Sequence, residues 1–208
     1  MDVKFEVLVN DRAIQERQHE SRKYILVQKG QEYKLRVSNY KSRRVLAVIS
    51  VDGLSIMNGQ PGDILSSAGY IINPNQSIDI PGWRLNNDEV AKFYFSSIDE
   101  SYTHLIEKPT NIGVIGCAFF AEKEKITPSG IVISGKSKFG WRGGVEKQTV
   151  GTGFGQVQNH HVTEIEFERE SKPFYIHIIY YLEDSHSASQ PTYKNPFPGC
   201  QPPQSWHR

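Results

Sequence analysis

The sequence is poor in cysteine: Cys117 and Cys200 are the only two in 208 residues, too few for a disulfide framework. It has no apolar run near the roughly 20 residues that a membrane-spanning helix needs, so a soluble chain is expected. The first twenty residues carry Asp2, Lys4, Glu6, Asp11, Arg12, Glu16, Arg17 and Glu20, which leaves no apolar core for a secretory leader. A cytoplasmic protein is expected, or a virion protein if the source is viral. Net charge is also nearly absent. Lys+Arg 24 against Asp+Glu 23 gives +1, which disfavours a nucleic-acid binder that relies on bulk positive charge. Hydrophobic residues reach only 38%, with a mean hydropathy of -0.50, so part of the chain is not core.

Motifs of familiar chemistry are missing too. There is no G-x-x-x-x-G-K-[ST] and no G-x-S-x-G. In Gly151-Thr152-Gly153-Phe154-Gly155 the third glycine comes one residue too early for G-x-G-x-x-G, and no strand-then-helix context surrounds it, so the stretch reads as flexible. Cys117 lies in an apolar run and reads as a core residue; Cys200 has no histidine positioned beside it. Ser101 and His104 are close in sequence, which is poor support for a triad whose members converge from separate segments. No catalytic residue, cofactor or metal is assigned.

What the sequence does contain is β pattern. Residues 4–9 alternate, with Phe5, Val7 and Val9 on one face and Asn10-Asp11 as turn chemistry. Further strands are expected at 22–28, 31–38, 43–51, 77–80, 89–97 and 112–121. Lys29-Gly30 and Asp52-Gly53 are the clearest hairpin signals. The runs Val45-Leu46-Ala47-Val48-Ile49 and Val114-Ile115-Gly116-Cys117-Ala118-Phe119-Phe120 are apolar on both faces, which suits central strands covered on each side. Only residues 100–107, stopped by Pro109, suggest a helix. The fold class is all-β: an antiparallel β-sandwich, jelly-roll or immunoglobulin-like, over residues 1–182.

Two extensions account for the polar balance. Residues 134–161 hold seven of the 17 glycines and read as a mobile or partner-facing excursion. Residues 183–208 contain no Ile, Leu, Val or Met but five prolines, and read as an extended tail. Tyr193, Phe197 and Trp206, interleaved with those prolines, are candidate anchors on a partner.

Between the extensions, residues 162–169 and 174–182 suggest a closing hairpin. If 169 pairs with 174, Glu166 faces His177, Glu164 faces Ile179 and Glu168 faces Tyr175. With His160 and His161 nearby, a carboxylate-histidine site for a metal-dependent enzyme is the third-ranked function, against the plainer reading of a solvated sheet face. Trp83 and Arg84, after the Pro81-Gly82 turn, offer an aromatic and a guanidinium for a loop-rim ligand site such as a carbohydrate site. The plainer alternative is that Trp83 plugs one end of the sandwich. Residues 12–44 carry ten basic and three acidic side chains, and residues 88–107 five acidic and one basic. These stretches are expected to offset one another across the fold.

Val9-Asn10-Asp11-Arg12, Ser50-Val51-Asp52-Gly53-Leu54-Ser55, Ile80-Pro81-Gly82-Trp83-Arg84 and Gly113-Val114-Ile115-Gly116 resemble segments of a family of bacterial and viral hypothetical β-proteins. The resemblance covers about residues 4–121, implies no activity and transfers no functional residue. The function expected first is therefore non-enzymatic assembly with protein partners, for instance in a virus or phage particle, through the Gly-rich segment and the tail. A carbohydrate-binding module at Trp83 and Arg84 comes second.

Overall fold

The structure is a computed structural model that describes residues 2–105, 111–123 and 150–184. Its strands are, in chain order, β1 (Val3–Val9), β2 (Arg12–Ala13), β3 (Arg17–His19), β4 (Arg22–Val27), β5 (Glu32–Asn39), β6 (Val45–Val51), β7 (Leu54–Ser55), β8 (Tyr70–Ile72), β9 (Gln76–Ile80), β10 (Gly82–Arg84), β11 (Glu89–Ser97), β12 (Val114–Ala121), β13 (Val150–Asn159) and β14 (Tyr175–Glu183). The single described helix is α1 (Tyr102–Leu105), which begins two residues later than the 100–107 expected; 106–107 lie outside the described residues. Ser101 caps it, its Oγ accepting from the His104 backbone N–H. Among the described residues no helix is long and apolar enough to cross a membrane.

The strands form two sheets that pack face to face as an all-β sandwich. In the first, β2, β1 and β5 lie side by side; β9 and β11 both pair with β5, and β10 and β13 flank β11. In the second the order is β3-β4-β14-β12-β6-β7, with β8 also on β6. Period-two alternation turns Phe5, Val7, Leu35, Val37, Phe93 and Phe95 of one sheet toward Ile49, Val51, Cys117, Phe119, Ile179 and Tyr181 of the other, all in one buried cluster. Each fully buried large side chain of this kind contributes about 1.5–3 kcal/mol.

Every residue of β6 and β12 is buried, as expected for strands apolar on both faces. Their outer side chains Leu46, Val48, Ala118 and Phe120 form a second, smaller cluster with Ile64, against which Phe167 packs. The Arg169 guanidinium lies 5.3 Å from the centre of the Phe120 ring and donates to the carbonyls of Ile64 and Ser67.

Two-residue turns close β1 on β2 and β6 on β7. Asn10 and Asp11 have φ of 50° and 60°, and Asp52 and Gly53 have 51° and 80°, the doubly positive pattern that matches strand twist. Lys29-Gly30 behaves differently from expectation. Gly30 does reverse the chain, with φ 82°, but β4 and β5 enter different sheets, so the pair is a crossover and no hairpin forms.

The 162–182 hairpin is corrected. β14 is flanked on one side by β12, antiparallel with Cys117 opposite His177, and on the other by β4 in parallel. Residues 162–169 form no ladder with β14; Glu168 and Glu170 bond instead to the end of β12, the Glu168 carbonyl accepting from Lys123 and the Glu170 N–H donating to Ala121, so Glu164, Glu166 and Glu168 are not set opposite Ile179, His177 and Tyr175. The Gly-rich excursion is corrected in part: residues 150–159 are β13, paired along β11, while 134–149 lie outside the described residues. Residues 183 and 184, expected in the tail, join the sandwich, since Glu183 belongs to β14 and the Asp184 N–H donates to Val27; residues 185–208, with Tyr193, Phe197 and Trp206, lie outside the described residues.

Candidate functional site

Of the two readings of Trp83, its burial is that of a plug. It is 2% exposed, donates from Nε1 to the Gly153 carbonyl at 3.1 Å, and meets Phe93 edge-on at 5.4 Å. Pro81-Gly82 leads it inward, and it offers no face to a ligand. Arg84, next along β10, points the other way and is half-buried. Its Nε and Nη2 donate to the Tyr70 hydroxyl, Nη1 donates to the His160 and Asn86 carbonyls, and Nη2 also donates to His160 Nδ1 at 2.6 Å. Those five contacts match the five N–H groups of a guanidinium, so none remains for a ligand. Arg84 is a strut that ties β10, β8 and the segment after β13 together.

This strut fixes the state of His160. Its Nδ1 accepts from Arg84 and its Nε2–H donates to the Asp79 carbonyl at 3.1 Å, so the ring is neutral. Burial and then the Arg84 charge hold its pKa below the ordinary histidine value of 6.5. A base whose folded pKa is depressed supplies stability that is complete above its unfolded pKa and is lost as pH falls toward the folded one. Acidification from about pH 7 to pH 5 is therefore expected to destabilise the wild type more than His160→Gln, as read from urea midpoints; equal losses would show that this contact does not titrate with folding.

Beside the strut, the β10–β11 turn and the end of β13 enclose an open cleft of about 600 Å³ lined by Asn86, Asn87, Asp88, Glu89 and Asn159. Most of these groups are engaged locally. Asn86 Oδ1 accepts from the Asp88 and Glu89 N–H groups, Asn87 reaches Glu164, and His161 pairs with Asp88 at 2.6 Å.

His177 is far from this corner in its bonding. It is 4% exposed inside the sandwich, with Nε2 2.9 Å from a Glu16 carboxylate oxygen and Nδ1 3.1 Å from the Tyr175 hydroxyl oxygen. Burial works to raise the Glu16 pKa, but the bonds and charges of His177 and Lys23 outweigh it and hold the carboxyl below its usual value. Glu16 lies between β2 and β3, where the chain crosses from one sheet to the other, so the Glu16-His177 contact latches that edge of the sandwich. His160, His161, Glu164 and His177 are thus not brought together, and no metal-holding group of three or more His, Cys, Asp or Glu exists among the described residues. Cys117 is buried and its thiol pKa is pushed up by that burial.

Sequence reasoning missed the most deeply buried polar array. Asp52, 1% exposed, accepts from the Gly113 N–H at 2.6 Å, the Thr152 N–H at 2.7 Å and the Tyr181 hydroxyl. Thr152 Oγ1 lies 2.8 Å from the Tyr181 oxygen and 2.9 Å from that of Tyr33. Since the carboxylate only accepts, the hydroxyl chain runs in one direction, from Tyr33 to Thr152 to Tyr181 to Asp52. Burial and then the Asp52 charge push the Tyr181 pKa well above normal, so it keeps the proton it donates.

Six of the ten basic residues of 12–44 lie against a carboxylate. Lys34 pairs with Asp11, Arg36 with Asp79, Lys41 with Asp2, Arg44 with Glu122, Lys23 with Glu16 and Lys29 with Glu183. None of these six partners comes from residues 88–107, so for these six the opposing charge comes from elsewhere in the chain; between the two stretches, Lys92 pairs with Glu32.

β13 remains. Its first four residues are buried, and it continues through Phe154 and Val157, which are 37% and 57% exposed. Its described ladder partner is β11 alone, so one edge of β13 has no strand beside it among the described residues. Comparison of the chain with family models, with curated proteins and with solved structures finds no match.

Proposed function

We propose that the protein is non-enzymatic and acts by assembling with protein partners. The observation that carries this is the contrast between its spent chemistry and the edge of β13, which has no strand beside it among the described residues. His160, His177, Arg84 and Asp52 are consumed by bonds within the fold, while β13 presents an uncharged strand end with exposed Phe154 and Val157. A glycan-binding module is the second reading, favoured by the amides and carboxylates around the Asn86–Glu89 turn. It ranks lower because neither Trp83 nor the donors of Arg84 are free to serve it.

Light scattering of the full chain is expected to give a mass above that of one chain. The comparison is a form ending at Asp184, checked for folding by near-UV circular dichroism. A lower mass for the shortened form assigns a share of the contact to residues 185–208. Single-chain masses for both forms would count against assembly.

A further inference from the structure

The core-facing side of the first sheet runs out past the residues that cover it. Register sets Trp83 beside Ala91 and Ala91 beside Val157; further along, the Leu85 N–H donates to Glu89, and Glu89 lies beside Asn159. Residues two apart on a strand share a face, so Trp83, Ala91 and Val157 look the same way as Leu85, Glu89 and Asn159. Trp83 and Ala91 are buried, but Leu85 is 42% and Val157 57% exposed. Asp88, Glu89 and Asn159 line the open cleft at this end, and Glu164 reaches Asn87 beside it. The three carboxylates meet the Asn86 and Asn87 amides and, at Asp88, His161; no Lys or Arg of the described residues pairs with them. The result is an exposed apolar face with an acidic border.

Residues 185–208 have the matching chemistry: Tyr193, Phe197 and Trp206, with Lys194 and Arg208 and no Asp or Glu. They are also tethered close by. The Asp184 N–H donates to Val27, and Gly30, at the turn that follows, donates to Phe95 of β11. From Phe95 the strand runs back to Glu89, a distance of about 20 Å at the usual rise. A polyproline-like chain from Asp184 to Phe197 spans about 40 Å, so the aromatic side chains reach the face. A tethered segment meets a site within its reach at an effective concentration of about 1 mM, which a second copy in dilute solution does not match.

We propose that residues 185–208 dock in cis on this face, their aromatic side chains covering Leu85 and Val157 while Lys194 and Arg208 lie against the Asp88, Glu89 and Glu164 carboxylates. Docking of this kind occurs within one chain and so does not depend on the assembly reading.

The test uses the full chain with a nitroxide spin label on Cys200; Cys117, 0% exposed, is shielded from the reagent. In isotope-labelled protein the amide signals of residues 85–89 and 157–159 are expected to broaden, and to sharpen again when the nitroxide is reduced. When the spin label and the isotope are on separate chains, mixed in equal amounts, those signals are expected to stay sharp. Glu89→Lys/Glu164→Lys is expected to lose the broadening with an unchanged near-UV spectrum, and adding Lys194→Glu/Arg208→Glu to restore it. Sharp signals at these residues in the spin-labelled wild type overturn the inference. Broadening as strong in the mixed sample overturns docking in cis and assigns the tail to a second copy. Broadening that the charge reversal leaves unchanged overturns the pairing with the carboxylates.

Discussion

Replacing Asp52 with alanine is expected to lower stability by about 3–5 kcal/mol, the range for removing one partner of a buried charged network. Two N–H groups, of Gly113 and Thr152, and the Tyr181 hydroxyl would be left in the interior without their acceptor. Water cannot readily replace the carboxylate, because Gly113, Val114, Thr152 and Tyr181, which bond to Asp52, are buried as well. Alanine must also adopt the left-handed φ of 51° that the two-residue turn imposes. Asp52→Asn separates these contributions. Asparagine tolerates the left-handed turn and keeps one acceptor, but its NH₂ opposes one of the donors, so an intermediate loss is expected. Tyr181→Phe should cost less than either, removing one donor to the carboxylate and leaving the Thr152 hydroxyl to find another acceptor. Urea unfolding of the four proteins checks the order; an alanine variant within about 1 kcal/mol of wild type would show that the network contributes little.

Asp52 also shows where the sequence is legible and where it is not. Asp52-Gly53 reads correctly as a turn because turn chemistry is local: two residues must reach positive φ, and these two do so readily. Its role as an acceptor is invisible locally, since its donors come from Gly113, Thr152 and Tyr181 in three other segments. The central strands β6 and β12 are legible because burial on both faces demands apolar residues at every position. Residues 162–169 mislead for the converse reason. Their alternation of Thr163, Ile165 and Phe167 with glutamates fits a strand, but alternation reports only that one side meets apolar surface. Phe167 packs on the outer cluster, and the backbone beside it bonds to the end of β12, at Lys123 and Ala121, rather than to β14, a contact between distant segments. In β13 a usable signal was present: glycines at 151, 153 and 155 repeat every second residue, the strand period. Glycine is needed on that face because a Cβ at Gly151 would lie 2.6 Å from the Ser101 Cβ, and one at Gly153 would lie inside the Tyr94 ring contact. Arg84 and Trp83 were singled out for their chemical types, yet the types are equally those of a strut and a plug; only the partners decide between them.

Gly82→Ala is the second change with a large expected effect, and the comparison with Gly153→Ala explains why. An added Cβ at Gly82 would lie 2.0 Å from the Ala91 carbonyl oxygen, 2.5 Å from its carbon and 2.9 Å from the Lys92 Cα. At Gly153 the overlap is nearly as severe, 2.2 Å, but it falls on the far end of the Tyr94 ring. A half-exposed side chain can swing aside; the backbone of β11 cannot, because it is held between β13 on one side and β5 and β10 on the other. Relief at Gly82 therefore requires β10 to lift off β11, breaking the Gly82–Arg84 ladder and drawing Trp83 from its seat between Phe93, 5.4 Å away, and Tyr102, 5.0 Å away. Overpacking of a tight site costs about 1–3 kcal/mol when the surroundings can yield and more when main chain must move. Gly82→Ala is thus expected to lose at least about 3 kcal/mol and Gly153→Ala distinctly less. Trp83→Phe isolates the plug, giving up the bond to the Gly153 carbonyl and part of the ring volume without disturbing the β10 backbone, and is expected to fall between the two. Urea midpoints decide the ranking. A Gly82 variant as stable as the Gly153 variant would show that β10 can shift along β11, and that Trp83 does not depend on the close approach that glycine allows.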